Sequence, residues 1–167
     1  MTPWLESLNK KVLLAYNTRL VGGFPEPFYK AAVNDSPAEV HFTRDFERSA
    51  LHELSHWCIA GDKRRLVDDY GYWYEPDGRS DEQQEIFFRV EIKPQAIEKH
   101  FCMALDVPFQ VSLDNLDNTP SDGIDSFISN VEQQCQAYLH SGFPGRAREI
   151  YDFMCQWHAS GKATSFS

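Results

Sequence analysis

The chain has 167 residues, enough for one domain with a buried core, and its 42% hydrophobic and 25% charged residues match an ordinary globular protein. A net charge of −9 lacks the basic footprint that nucleic-acid binding requires, and no apolar run is long enough to span a bilayer. The start, Met1-Thr2-Pro3-Trp4-Leu5-Glu6, has neither the basic nor the apolar region of a secretion signal, so a single domain over residues 1–167, cytoplasmic and away from membranes, is expected.

Trp4, Leu8 and Val12, with Leu5 and Leu13 beside them, recur at helical spacing and predict an N-terminal helix. The stretch Val21-Gly22-Gly23-Phe24-Pro25-Glu26-Pro27 reads as a loop, and Val40-His41-Phe42-Thr43 as a short strand. A helix capped by Thr43 or Asp45 should follow and stop at Gly61. Lys63-Arg64-Arg65 then places cations near that helix's C-terminus, where the macrodipole favours them; docking of an acidic partner is the sharper alternative. Pro76-Asp77-Gly78 marks a turn, and Ser80 or Asp81 can cap a helix carrying Ile86, Phe87, Val90 and Glu91. Pro94 suits the first turn of a further helix through Ala104. A polar loop from Asp114 to Asp122 precedes two closing helices, near Ile124 to Leu139 and Pro144 to Trp157. These elements predict an α+β fold, mostly helical, with a small β-sheet packed on the motif helix. The four cysteines lie far apart, without metal-finger spacing, and are expected to be free thiols.

The segment His52-Glu53-Leu54-Ser55-His56 carries the chemistry. Histidines four apart on a helix share a face and can reach one metal ion, and imidazole suits zinc, iron and related metals. A chain of this composition would contain the pattern by chance about 0.015 times, and its flanks Ala50, Leu51, Leu54, Trp57 and Ile59 are apolar, so the pair is expected to be buried. Glu53 is the general base in zinc peptidases of this pattern. A third ligand must come from elsewhere. His41 and His100 are candidates, and Val90-Glu91-Ile92-Lys93-Pro94-Gln95-Ala96-Ile97-Glu98 offers two carboxylates. Glu98 is the preferred ligand, because it lies inside the helix that Pro94 opens; Glu91, before the proline, is assigned a supporting role or that of alternative ligand. The aromatic run Tyr70, Tyr72, Trp73 and Tyr74 either walls a binding pocket or packs in the core.

Ser49-Ala50-Leu51-His52-Glu53-Leu54-Ser55-His56-Trp57-Cys58-Ile59-Ala60-Gly61 resembles the signature of the bacterial elongation factor P hydroxylases. The resemblance continues through Asn17-Thr18-Arg19-Leu20, Asp69-Tyr70-Gly71-Tyr72-Trp73-Tyr74, Pro76-Asp77-Gly78-Arg79, Val90-Glu91-Ile92-Lys93-Pro94-Gln95-Ala96 and Asp114-Asn115-Leu116, and the last third of the chain adds little. It implies a zincin-like metal site holding mononuclear non-haem Fe(II), and an O2-dependent monooxygenase. The implied substrate is a lysine side chain of elongation factor P that has already received a β-lysyl group. A long cationic substrate would suit Asp69, Glu75 and Asp77 and the faces of Tyr70, Tyr72, Trp73 and Tyr74. The alternatives are a small zinc metallopeptidase with Glu53 as general base and a scaffold with a structural metal; the latter needs four protein ligands, and only three are convincing.

Overall fold

In the computed structural model, which describes residues 2–68, 81–113 and 123–162, the chain runs α1 (Pro3–Lys11), β1 (Thr18–Phe24), β2 (Phe28–Lys30), β3 (Ala38–Thr43), α2 (Glu47–Ile59), α3 (Asp81–Leu105), α4 (Ile124–Ser141) and α5 (Ala147–Ala159). The sheet order is β1-β3-β2, with β3 parallel to β1 and antiparallel to β2. Central β3 buries Ala38, Val40, His41 and Phe42 and leads directly into α2, which packs between β3 and α3; α4 and α5 close over α3. The core joins Trp4, Leu5 and Leu8 of α1 to Leu51 and Leu54 of α2 and Ile97 and Phe101 of α3. A mostly helical fold with one small sheet, as expected, is what forms. No described helix is long and apolar enough to cross a membrane.

Two expectations about the course of the strands and helices fail, each for a non-local reason. The stretch from Val21 to Phe24 is strand rather than loop. Register slips between Val21 and Phe24, a bulge that the two glycines make possible. Gly23 adopts φ +98°, and Gly22 lies so close to β3 that a Cβ there would meet Phe42 Cζ at 2.5 Å and the Arg44 carbonyl at 2.7 Å. Nor does Pro94 open a new helix. It sits inside the unbroken 25-residue α3, because Pro94, Gln95, Ala96, Ile97 and Glu98 are all buried and packing outweighs the single backbone hydrogen bond that proline removes.

Helix α2 ends at Ile59, before Gly61 as expected, but Gly61 is not in the left-handed conformation of a glycine cap. Instead Arg65 donates to the carbonyls of Trp57 (2.9 Å) and Cys58 (3.3 Å) and caps the helix, which bears out the macrodipole reading of the basic run. Neither Thr43 nor Asp45 caps the start; Phe46 holds the N-cap position, and the Thr43 amide donates to Ser49 Oγ at 2.9 Å. All four cysteines are free, and burial pushes the Cys58 thiol up to about 12 despite nearby Arg65 and Arg146, which fits a packing role.

Gly22→Ala should lower stability by about 1–3 kcal/mol, since a methyl group must displace the Phe42 ring or the Arg44 backbone. An unchanged denaturation midpoint in urea would show that β1 and β3 do not approach this closely.

Candidate metal centre

One helical turn separates His52 from His56 on α2, and both rings point to α3, their centroids 4.8 Å apart. The two helices run antiparallel along this contact: Arg48 and His52 meet Glu98, and His56 meets Glu91. His56 Nε2 lies 2.9 Å from Glu91 Oε1, and His52 Nε2 lies 3.9 Å from Glu91 Oε2. Ligand atoms of His52, His56 and Glu91 all fall within 4.8 Å of one another. Two imidazole nitrogens and a carboxylate oxygen form a donor set that first-row transition metals accept, and three protein donors leave positions open.

Around this cluster stands a second ring of contacts. His52 Nδ1 is 2.6 Å from Glu98 Oε1, while Glu98 Oε2 accepts from Arg48 Nη2 at 2.5 Å and Nε at 3.1 Å. Held by that guanidinium, Glu98 is the acceptor for the Nδ1 proton. When His52 gives up its other proton, the lone pair is on Nε2, facing Glu91 and His56, in the manner of carboxylate-oriented metal ligands. Glu91 Oε2 accepts from Gln95 Nε2 at 3.1 Å.

The electrostatics favour a cation here. Burial alone would depress the His52 pKa, but the carboxylates of Glu98, Glu91 and Glu53 outweigh it and hold it well above 6.5. Burial would likewise raise Glu91, yet His56 and His52, with the Gln95 hydrogen bond, bring its carboxyl down to about 2.

The carboxylate grouped with the two histidines is not the one preferred on sequence grounds. Glu91 stands with the two histidines, and Glu98, preferred on sequence grounds, stands behind His52 with both oxygens engaged. The reversal follows from the unbroken α3: Glu91 and Glu98 lie on one face about 10 Å apart along the axis, and α2 places its second histidine opposite the first of them. Glu53 is buried but falls outside the cluster. His41 stacks on Phe24 and meets Glu39 at 2.8 Å, and His100 meets the Cys135 carbonyl at 2.9 Å, so neither belongs to the centre. Asp69, Tyr70, Tyr72, Trp73, Tyr74, Glu75 and Asp77 lie outside the described residues. Sequence reasoning missed Arg48 and Gln95. For Gln95 a signal existed: the block Val90–Ala96 contains Glu91 and Gln95 and stops short of Glu98.

A family model described as elongation factor P hydroxylase matches residues 8–166. The chain is also similar to a curated protein of Haemophilus influenzae named elongation factor P lysine hydroxylase. The two are 46% identical over 136 residues, which are 81% of this chain and 76% of that protein.

Metal uptake is expected to release a proton. Because the His52 pKa is raised, the metal-free chain gains stability from the imidazolium below pH 6.5 and loses it as pH climbs through the raised value. Metal binding has the opposite sign and should tighten with pH, about tenfold per unit for each proton displaced. Calorimetric titration with Co(II) at pH 6.5 and 8, in buffers of different ionisation enthalpy, checks this; affinity independent of pH would contradict it.

Proposed function

We propose a reaction for this centre on a premise that the matches establish: the chain belongs to the elongation factor P hydroxylase family. In this reading it is a cytoplasmic enzyme that hydroxylates the β-lysylated lysine side chain of elongation factor P, using O2 at a mononuclear non-haem Fe(II). One oxygen atom enters a C–H bond and the other leaves as water, with two electrons from an external reductant. The observation that carries the reading is the convergence of buried His52 and Glu91 and half-buried His56, with a proton acceptor already placed behind His52.

Iron would be held by the Nε2 atoms of His52 and His56 and by the Glu91 carboxylate, an arrangement we read as zincin-like. Bound there, it supplies the O2 activation that an unactivated methylene group demands. The protein's own residues supply the rest. Glu98 keeps the His52 proton on Nδ1, Arg48 neutralises Glu98, and Gln95 donates to the Glu91 oxygen that faces His52. Glu53 adds negative potential beside His52. We assign binding of the lysine chain to Asp69, Tyr70, Tyr72, Trp73 and Tyr74, whose rings and carboxylate suit a long cation.

Protein purified without oxygen and loaded with Fe(II), then given β-lysylated elongation factor P, O2 and a reductant, should add the mass of one oxygen atom to the substrate. Equal turnover by zinc-loaded protein would defeat the iron assignment. Glu53→Gln separates this chemistry from peptide hydrolysis: hydroxylation should persist in that variant, whereas a zinc peptidase would lose its general base entirely.

His52→Ala, His56→Ala and Glu91→Ala should each abolish metal binding and hydroxylation together while leaving a folded domain. A catalytic metal in a chain of this size is not the main source of folding energy. Glu98→Ala should be milder, weakening metal binding about 10–100-fold. Retention of metal by Glu91→Ala with its loss in Glu98→Ala would restore Glu98 as the ligand.

A further inference from the structure

Among the described residues, segment 107–113, which follows α3, pairs with no strand, yet its backbone is bonded at alternate residues. Arg48 donates to the carbonyls of Pro108 (3.3 Å) and Gln110 (2.8 Å). Gln95 makes a two-way pair with Ser112, its Oε1 accepting from the Ser112 amide at 3.0 Å and its Nε2 donating to the Ser112 carbonyl at 2.7 Å. Residues 108, 110 and 112 thus face α2 and α3, as one edge of an extended chain would. The Arg48 guanidinium also lies over the Phe109 ring, 5.1 Å from its centroid, and Phe109, Gln110 and Val111 line a cavity of about 260 Å³ with Lys99, Ile128 and Val131.

The two side chains that hold this segment are those that hold the centre. Gln95 is wholly buried, and its amide has one acceptor oxygen and two N–H groups. Pairing with both backbone groups of Ser112 fixes which end of the amide points where and leaves one N–H, the one that meets Glu91 Oε2. The backbone of Ser112 therefore dictates that Glu91 receives a donor. Arg48 Nη2 is shared in the same way between Gln110 and Glu98, the partner of His52. Asn9 makes the same kind of pair elsewhere in the fold: its amide bonds the N–H and carbonyl of Leu20 on the edge strand β1 at 2.8 and 3.0 Å.

We infer that Gln95 and Arg48 are positioning residues through which segment 107–113 sets the aim of Glu91 and His52, so that metal occupancy and the order of this segment are coupled. The inference rests on the ligand set proposed above. It is tested by amide hydrogen exchange at Gln110–Leu113 in the full chain with and without Co(II), alongside Co(II) affinity. Loading should slow exchange of the Ser112 amide in the wild type by about tenfold or more. Gln95→Met, which cannot pair with Ser112, should lose that metal-dependent difference and bind Co(II) about 10–100-fold more weakly, with α-helical content unchanged. Gln95→Glu, of the same size but unable to donate, should weaken Co(II) binding as well. Wild-type affinity in either variant, or Co(II) uptake that leaves Ser112 exchange unaltered, overturns the coupling. Failure of the wild type to take up Co(II) would instead refute the ligand set itself.

Discussion

Two carboxylates buried between α2 and α3 constrain the rest of the molecule. Glu91 and Glu98 are 2% and 1% exposed, and an isolated charge in such a place costs several kcal/mol. Each must be met by donors, and the donors come from different parts of the chain: Arg48, His52 and His56 from α2, and Gln95 from α3 itself. Meeting those demands fixes the antiparallel alignment of the two helices. It also fixes what lies on either side of them, since α2 is anchored on β3 and Arg48 and Gln95 extend to segment 107–113. The balance still leaves an excess of negative charge, which shows in the raised pKa of His52. A fold that accepts this excess at its centre is arranged for a cation.

What was legible in the sequence was what depends on local pattern. The two-histidine helix stood out because its spacing is improbable by chance and its flanks are apolar, and α2 and the closing helices α4 and α5 lie within a few residues of their expected places. What was not legible depends on contacts between distant segments. Gly22-Gly23 reads as a loop until Phe42 is placed against Gly22, after which only glycine fits the strand. Pro94 reads as a boundary by its local chemistry. Its effect on α3 is confined to the Val90 carbonyl, which loses its intrahelical donor on the half-exposed side of the helix, while the buried side holds the axis together.

That single misjudged boundary is what favoured Glu98 over Glu91 in the sequence. With the helix broken at Pro94, Glu98 is the better-placed carboxylate; with the helix continuous, both glutamates share a face and the choice passes to α2. Because α2 runs antiparallel to α3, its earlier residues, Arg48 and His52, meet the later glutamate, and its later residue, His56, meets the earlier one. Arg48 then decides between them. It binds Glu98 Oε2 while Oε1 meets His52 Nδ1, so Glu98 is turned to the far side of the ring, whereas Glu91 faces both Nε2 atoms. Position along α2, not intrinsic acidity, separates the two carboxylates.

The charge distribution gives the same separation at larger scale. The chain as a whole carries −9, yet one of its few basic clusters sits at the C-terminus of α2, where Arg65 is spent on the Trp57 and Cys58 carbonyls and lies over the Trp57 ring beside Arg146. Arg65 stabilises the end of the helix that presents both histidines and is held away from the centre by its own hydrogen bonds. The surroundings of His52 and Glu91 thereby keep their negative potential, and that potential acts in the same direction on a divalent ion and on an organic ammonium group. The two histidines distinguish these cations, because a neutral imidazole nitrogen coordinates a transition-metal ion as a ligand, whereas to an ammonium group it offers only one hydrogen-bond acceptor. Attraction is thus shared between the two cations, while the choice of which one occupies the centre is made by the histidines.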